Sequence, residues 1–365
     1  MIRRRAAVRL NLALQGGGAH GAFTWGVLDR LLEERDITFC WLSGTSAGAI
    51  NAVAVASGLA TGGQGAARDQ LNALWHGVIE SGVPDLMRLN PFLWGMSRAS
   101  PVGQMTSMFS PYEFNPLGFD PLRKLIGALI DFDRLRAYTD IELLIAATDV
   151  ATGRVRLFRR RELTVDAVLA STCLPTLHHA VEIDGRAYWD GGFSANPDIV
   201  TLAGESPASD TLIVQLNPIE KAGVPRTARA IAFDVNRITF TQPFLRDVAE
   251  IAALKRDAPR SWLFSRNSRT ARIARHRFHL IEAARHTGDL APETKLRPER
   301  ALLMFLHRAG REEAGKWLAR HRQALGKHAT VDLESRFLGP LGPLATTATA
   351  ERDDDPDTAV LGGKL

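Results

Sequence analysis

Cysteine is scarce in this chain of 365 residues, which contains only Cys40 and Cys173. Two cysteines exclude a scaffold stapled by several disulfides and favour a reducing compartment. The arginine-rich N-terminus offers no apolar segment long enough for a secretory signal, because Arg9 and Asn11 interrupt the one candidate. We therefore expect a cytoplasmic protein.

Long apolar runs are also missing. The most apolar helical candidate, AGAINAVAVASGLATGG, is rich in small residues, punctuated by glycine and too short to cross a bilayer. Apolar residues make up 45% of the chain and charged residues 23%, a balance typical of soluble globular proteins. The length suffices for one large domain or two smaller ones, and no internal repeat divides it.

Positive charge is concentrated near the C-terminus. Residues 251–330 carry 18 Lys and Arg against 7 Asp and Glu, whereas the rest of the chain carries 27 against 33. Such a basic block suits anionic lipid headgroups or nucleic acid, but its helical interleaving with apolar residues equally fits a solvated helix surface. No nucleic-acid recognition motif is present, so we expect no nucleic-acid partner. Peripheral contact with anionic membranes is a hypothesis.

Strand-like and helix-like apolar patterns alternate along the chain, which predicts an α/β fold with a mainly parallel sheet flanked by helices. The Asp184-Gly185 pair predicts a hairpin turn. Strands are predicted at 7–14, 37–43, 141–150, 153–159, 211–218 and 276–283, and helices at 22–34, 47–58, 165–172 and over much of 221–325.

The chain is predicted to divide into a catalytic domain over 8–220, a basic and mainly helical region over 221–330 packed on it, and a disordered tail over 341–365. Residues of about 82–120 are dense in Pro, Gly, Met and aromatics. We interpret them as a lid-like insert or acyl-chain channel, although single residues of the stretch fit core padding equally well. Its large apolar residues are Leu86, Met87, Phe92, Leu93, Trp94, Met96, Met105, Met108, Phe109, Tyr112 and Phe114.

The run QGGGAHGAF lies between the first predicted strand and the first helix. Its consecutive glycines leave backbone N–H groups bare at a helix N-terminus, where a negative charge is stabilised. Gly16, Gly18 and Gly21 also satisfy G-x-G-x-x-G, with Glu34 or Asp36 downstream as the acid of a dinucleotide-binding fingerprint. Taken alone, the loop fits an oxyanion hole, a pyrophosphate cradle or a glycine turn without a ligand.

Two further motifs carry candidate catalytic groups. In SGTSAG, Ser46 lies between Gly44 and Gly48 at a strand-to-helix corner, the G-x-S-x-G setting of a strained, exposed nucleophile. In YWDGGFSANP, Asp190 ends a predicted hairpin strand and precedes Gly191 and Gly192. An aspartate there is either a turn residue or a carboxylate that accepts the proton of Ser46.

In this order, the three motifs resemble those of the patatin-like phospholipase family, in particular its bacterial members. GGGAHG resembles the family's oxyanion loop, GTSAG its nucleophile elbow and DGG its catalytic aspartate motif, and the resemblance extends over about 8–220. It implies a three-layer α/β fold, a lipid or fatty-acyl ester substrate, an acyl-enzyme, and neither cofactor nor metal. The site residues that it implies are Ser46 and Asp190 as a dyad without histidine, Gly16, Gly17 and Gly18 as the oxyanion hole, Gly44, Thr45, Ala47 and Gly48 around the serine, and Gly191 and Gly192 after the aspartate.

One position departs from the family pattern, because His20 stands where the oxyanion loop often carries Arg or Lys. A neutral histidine supplies less positive potential there. His178 and His179 lie next to Pro175 and are placed to line the site, but no ligand cluster supports a metal.

Two other enzyme classes compete with the dyad. A Ser-Asp-His hydrolase would use His279 or His286, yet such folds usually place more strands before the nucleophile than this chain has room for. A dinucleotide-dependent oxidoreductase explains the glycine loop and leaves the other two motifs as coincidences.

Overall fold

One sheet of eight strands runs through the part of the chain that the computed structural model describes, namely residues 7–80, 110–116, 118–221, 223–257, 268–288, 290 and 292–339. The strands are β1 (Val8–Leu14), β2 (Ile37–Thr45), β3 (Glu142–Asp149), β4 (Val155–Arg159), β5 (Val181–Ile183), β6 (Arg186–Asp190), β7 (Asp210–Gln215) and β8 (Arg277–Glu282).

The described helices lie between and after these strands. They are α1 (Gly21–Leu31), α2 (Ala47–Glu80), α3 (Pro111–Phe114), α4 (Pro121–Leu129), α5 (Phe132–Ala137), α6 (Val165–Thr172), α7 (Val200–Glu205), α8 (Ala228–Asp257), α9 (Arg269–Arg275), α10 (Ala284–Thr287), α11 (Arg300–His321) and α12 (Leu333–Phe337). Short 3-10 turns cover Gly18–His20, Arg160–Glu162, Gly191–Phe193, Pro292–Leu296 and Arg322–Ala324. Helix α2 is interrupted at Gly62 and Gly63, where the backbone leaves the helical region.

The strand order is β5-β6-β3-β2-β1-β7-β8, with β4 also paired to β3. Strands β3, β2, β1, β7 and β8 are parallel to one another, and β4, β5 and β6 add antiparallel pairs at one side. The predicted mainly parallel α/β sheet is therefore confirmed. Strand β8 extends this sheet, so the C-terminal region contributes a strand as well as helices.

Both faces of the sheet are covered, because alternate residues of each buried strand enter different hydrophobic clusters. Leu12 and Leu14 of β1 join a core with α1, α2, α6 and α11, whereas Ala13 joins a core with α7, α8, α9 and α12. The same alternation places Leu212 and Ile213 of β7 on opposite faces. The fold is therefore three-layered, as the resemblance stated above implies.

Some predicted boundaries differ from the observed ones. Helix α1 ends at Leu31 rather than at residue 34, because Glu33 and Glu34 donate their N–H groups to carbonyls three residues back and so tighten the chain into a turn. Strand β2 continues to Thr45, since Gly44 and Thr45 pair with β3. The predicted lid-like insert lies largely outside the described residues, and the predicted disordered tail lies wholly outside them.

The charge asymmetry of the sequence is in part internal to the fold. Arg311 of α11 forms ion pairs with Asp29 and Glu33 of the N-terminal part, and Arg322 pairs with Asp36 at 2.5 Å. Burial would raise the pKa of Asp29, but hydrogen bonds from His307, Arg68 and Arg311 hold it well below its usual range. These cations of the basic block thus face acidic residues of the same chain.

Helices α1 and α11 cross at two glycines. A Cβ added at Gly26 would lie 2.0 Å from the carbonyl oxygen of His307, and one added at Gly310 would lie 2.0 Å from the carbonyl oxygen of Phe23. Such distances are far below van der Waals contact, so the two backbones approach closely only because these positions lack side chains.

We expect Gly310→Ala to lower the free energy of unfolding by about 1–3 kcal/mol, because the added methyl group forces the helices apart. Gly315, in the same helix, is the control: a Cβ there meets no atom within 4 Å. Gly315→Ala should be neutral or stabilising by up to about 1 kcal/mol, since alanine is the better helix former. Urea denaturation measures both variants, and equal stability of Gly310→Ala and wild type would contradict the close crossing.

Candidate active site

Ser46 occupies the turn between β2 and α2 with a φ of +54°, in the left-handed region that residues other than glycine rarely adopt. Its flanking glycines make this turn possible. A Cβ at Gly44 would lie 2.6 Å from the Gly48 carbonyl oxygen, and one at Gly48 would lie 2.0 Å from that of Leu14. The side chain of the serine is half-buried, at the carboxyl edge of the parallel strands.

Asp190 reaches this turn because β6 and β2 share one edge of β3. Ala146 pairs with Thr45 and Ala147 pairs with Asp190, while β4 occupies the other edge of β3 along both positions. Strand β6 therefore takes over from β2 at the point where β2 ends. This register places Asp190 one step beyond Thr45, next to Ser46.

The Asp190 carboxyl group is fully buried. One of its oxygens, Oδ1, accepts the Gly192 N–H at 2.7 Å, and the other, Oδ2, has no hydrogen-bond partner among the described residues. Burial raises the pKa of Asp190 to about 7, against smaller lowering effects of the Gly192 N–H and the Ser46 hydroxyl. The Asp190 carboxyl group thus combines a free oxygen, a pKa near neutral pH and a position close enough to Ser46 for the serine hydroxyl to lower that pKa.

The end of α6 holds the backbones of both residues. Ser171 Oγ accepts the Ser46 N–H at 3.0 Å, and the Cys173 carbonyl oxygen accepts the Asp190 N–H at 2.7 Å. Thr148 of β3 adds a hydrogen bond from its hydroxyl to the Asp190 carbonyl oxygen at 2.8 Å. Sequence reasoning missed Ser171 and Thr148, since a single serine or threonine at an element end carries no distinctive signal.

The glycine loop lies against the serine turn, since a Cβ at Gly16 would be 2.9 Å from Ser46 Cβ. The three glycines are not equivalent. The Gly16 N–H already donates to Asn196 Oδ1 at 2.8 Å, whereas neither Gly17 nor Gly18 donates its N–H to another described residue. The N–H groups of Gly17 and Gly18 are therefore free to act as the predicted oxyanion donors. The third predicted donor, the Gly16 N–H, is held by Asn196, a residue that the sequence did not single out.

Residues after β7 hold the loop from its other side. Gln15 Oε1 accepts the N–H groups of Leu216 and Asn217 at 2.8 and 2.9 Å. Asn217 Nδ2 in turn donates to the Gly16 carbonyl oxygen at 3.0 Å. These bonds tie the loop and its Gly16 carbonyl group to the residues that follow β7.

His20 is buried, and its Nε2 lies 2.8 Å from Thr294 Oγ1. Burial, assisted by the charge of Lys295, lowers the pKa of His20 to about 3, so the ring is neutral at physiological pH. His20 therefore places a neutral side chain where the oxyanion loop of the resembled family often carries a charged Arg or Lys.

The histidines of the alternative triad lie elsewhere. His279 is in the middle of β8, three strands from β2, which corresponds to roughly 14 Å at the usual strand spacing. Its ring nitrogens contact Asp210 and Thr330, while Nε2 of His286 contacts Glu313 at 3.2 Å. The structure does not bring either histidine to Ser46.

The acids of the alternative dinucleotide site are also misplaced. Glu34 and Asp36 precede β2, whereas the glycine loop follows β1 at the opposite end of the parallel strands. A ribose-binding acid lies at the carboxyl end of the second strand. Both side chains are engaged elsewhere, Glu34 with Arg30 at 2.8 Å and Asp36 with Arg322.

His178 and His179 line a pocket of about 210 Å³ together with Cys173 and Asp120, and neither Ser46 nor Asp190 is among the residues that line it. His179 stacks on Tyr112, with ring centroids 4.2 Å apart. Within the described ranges, no group of His, Cys, Asp and Glu is arranged to hold a metal ion. None of the described helices combines the length and apolar character needed to cross a membrane.

The family model for patatin-like phospholipases matches residues 12–203, which include all three motifs. The chain belongs to the patatin-like phospholipase family. Membership supports a lipid acyl hydrolase activity. No curated protein matches the chain significantly.

Two solved structures have distant similarity to this patatin-like chain. VipD from Legionella pneumophila is 14% identical, with 88% of this chain and 72% of that chain covered and a TM-score of 0.42. ExoU of the Pseudomonas aeruginosa type III secretion system, solved as a heterodimeric complex with SpcU, is 19% identical, with 87% and 52% covered and a TM-score of 0.30. The chain thus spans about half the length of that ExoU chain.

We expect Asp190→Asn to stabilise this patatin-like protein at alkaline pH. The folded-state pKa of Asp190 is raised to about 7, so the folded protein loses stability as pH rises from the unfolded pKa through this value. Asparagine carries no charge at any pH, so the variant avoids this loss of folding stability. The gain in free energy of unfolding should be on the order of a few kcal/mol above the folded pKa and vanish below the unfolded pKa. Urea denaturation of the variant and of wild type, once above the folded-state pKa and once below the unfolded-state pKa, measures this gain. A difference in free energy of unfolding that does not change with pH would contradict the raised pKa.

Proposed function

We propose that the chain hydrolyses carboxylic esters of lipids through a catalytic dyad of Ser46 and Asp190. The observation that carries this proposal is the buried Asp190 Oδ2, which lacks a hydrogen-bond partner among the described residues and lies beside a serine in a strained turn. Family membership supports the substrate class.

The proposed reaction begins when Ser46 Oγ attacks the ester carbonyl carbon while Asp190 Oδ2 takes its proton. The negative charge that develops on the carbonyl oxygen faces the free N–H groups of Gly17 and Gly18 and the N-terminus of α2. The carboxyl group then gives its proton to the departing alcohol oxygen, which leaves an acyl-enzyme. Water attacks the acyl carbon, Asp190 again takes the proton, and the fatty acid is released.

The position of the two histidines favours this dyad over a Ser-His-Asp triad. The register places Asp190 next to the serine turn, and the Ser46 hydroxyl lowers the pKa of its carboxyl group, so the two side chains interact directly without an imidazole between them. His279 already shares a hydrogen bond with Asp210, a carboxylate on a strand two places from β2.

We expect Ser46→Ala to lower kcat/KM for a p-nitrophenyl ester at least about a thousandfold, and Asp190→Asn at least about a hundredfold. Both variants should lose labelling by a fluorophosphonate probe. His279→Asn and His286→Gln are the controls and should label and turn over like wild type. Loss of labelling in a folded histidine variant would favour the triad instead.

The wild-type pH profile offers a second check on the base. Because Asp190 must be ionised to accept the proton, kcat/KM should rise with pH through the Asp190 pKa of about 7. A profile already flat well below that pH would contradict a buried carboxylate as the base.

We further propose that the protein is a cytoplasmic enzyme that contacts lipid surfaces through the first half of α8. Ile231, Val235 and Ile238 recur at helical spacing and are 46, 57 and 46% exposed. This stripe is close to the site, because Phe240, on the next turn, covers Gly192 beside Asp190. Arg277, Arg311 and Arg322 of the basic block are engaged in ion pairs within the chain, whereas the stripe is exposed and close to the site, so we assign the membrane contact to the stripe.

Replacement of Ile231, Val235 and Ile238 by serine should at least halve the fraction of protein that floats with anionic liposomes. Turnover of a soluble ester should stay at the wild-type level, because the stripe does not contact the dyad. Val155, 42% exposed on β4, provides the control variant Val155→Ser, which should float like wild type. Unchanged flotation of the triple variant would contradict the stripe as the contact surface.

A further inference from the structure

Lys295 lies directly over the glycine loop, although it comes from a 3-10 turn in the C-terminal region. A Cβ at Gly18 would be 2.3 Å from the Lys295 carbonyl oxygen, so this turn and the loop are in backbone contact. The ammonium group reaches a residue that follows β7, because Lys295 Nζ donates to Asn217 Oδ1 at 2.5 Å.

A continuous chain of hydrogen bonds runs from this ammonium group to a candidate oxyanion donor. Lys295 donates to the oxygen of the Asn217 amide, and the nitrogen of the same amide donates to the Gly16 carbonyl oxygen at 3.0 Å. That carbonyl belongs to the peptide whose N–H is Gly17. Because hydrogen bonds in series polarise one another, a cation at one end strengthens the N–H donor at the other.

The charge on Lys295 is not neutralised locally. Among the described residues it forms no ion pair with a carboxylate, its ammonium group donates to the neutral Asn217 amide, and its charge lowers the pKa of His20. Burial, assisted by the nearby charge of Arg237, lowers the pKa of Lys295 to about 8, so the group is charged at neutral pH and loses its proton in mildly alkaline solution.

We propose that Lys295 is a positioning residue that supplies, through Asn217 and the Gly16–Gly17 peptide, the positive potential that His20 does not supply to the oxyanion loop. This inference rests on the proposed function, since it assumes that an oxyanion forms at Gly17. Lys295 itself does not touch the reacting atoms. It acts on the transition state by making the Gly17 N–H a stronger donor and by holding the loop in place.

The test compares Lys295→Met, Lys295→Arg and wild type with a soluble p-nitrophenyl ester over a range of pH. We expect Lys295→Met to lower kcat about tenfold while KM changes less than about twofold, because the relay acts on the transition state. Lys295→Arg should recover most of kcat, as it keeps a donor and the charge. Lys327, exposed on the surface, gives the control Lys327→Met, which should match wild type.

The pH profile separates an electrostatic role from a packing role. Wild-type kcat should fall as pH rises through the Lys295 pKa of about 8, and this alkaline limb should be absent in Lys295→Met and displaced upward in Lys295→Arg. An alkaline limb that persists in Lys295→Met, or a lower kcat that Lys295→Arg does not recover, would overturn the proposal. Should Lys295→Met not fold, Asn217→Leu breaks the same relay one step on, and an unchanged kcat in that variant would overturn it equally.

The two proposals fail in distinguishable ways. Full activity of Ser46→Ala would remove the dyad, and with it the basis of the relay. Loss of fluorophosphonate labelling in Ser46→Ala, together with wild-type kcat and pH profile in Lys295→Met, would overturn the relay alone.

Discussion

The edge of β3 is the constraint on which the candidate site depends. A strand has two edges, and β4 fills one of them, so β2 and β6 must share the other. Their meeting point brings the residue after β2 and the last residue of β6 together from opposite directions. Three features keep the two residues together: the glycines of the serine turn, the burial of the Asp190 carboxyl group, and the hydrogen bonds from the end of α6.

Burial of the junction has an energetic cost that the fold offsets elsewhere. The charged form of the buried Asp190 carboxyl group is stabilised only in part, by the Gly192 N–H and the Ser46 hydroxyl, so its proton affinity rises. Large hydrophobic clusters on both faces of the sheet and the close crossing of α1 and α11 stabilise the fold around this centre. The two hydrophobic clusters thus offset the backbone strain at Ser46 and the burial of the Asp190 carboxyl group.

The sequence predicted much of this arrangement because its signals are local. Strand-to-helix corners, glycine spacing and apolar periodicity indicated the sheet, the serine turn and the hairpin that ends at Asp190. What it did not indicate depends on contacts across the fold. Asn196 and Asn217 are ordinary polar residues in sequence, and only the register of β7 and the aspartate loop brings them to Gly16. The pairing of the basic block with Asp29 and Asp36 likewise requires the position of α11.

Strand β7 lies beside β1, yet it begins after the last residue of the family match at position 203. The glycine loop therefore contacts residues of the matched segment on one side and residues that follow this segment on the other. The proposed dyad lies inside the matched segment, whereas Asn217 and Lys295, which we propose adjust the field at the glycine loop, lie after it. On this proposal, substitutions in the last third of the chain alter the reaction rate while all three motifs stay intact.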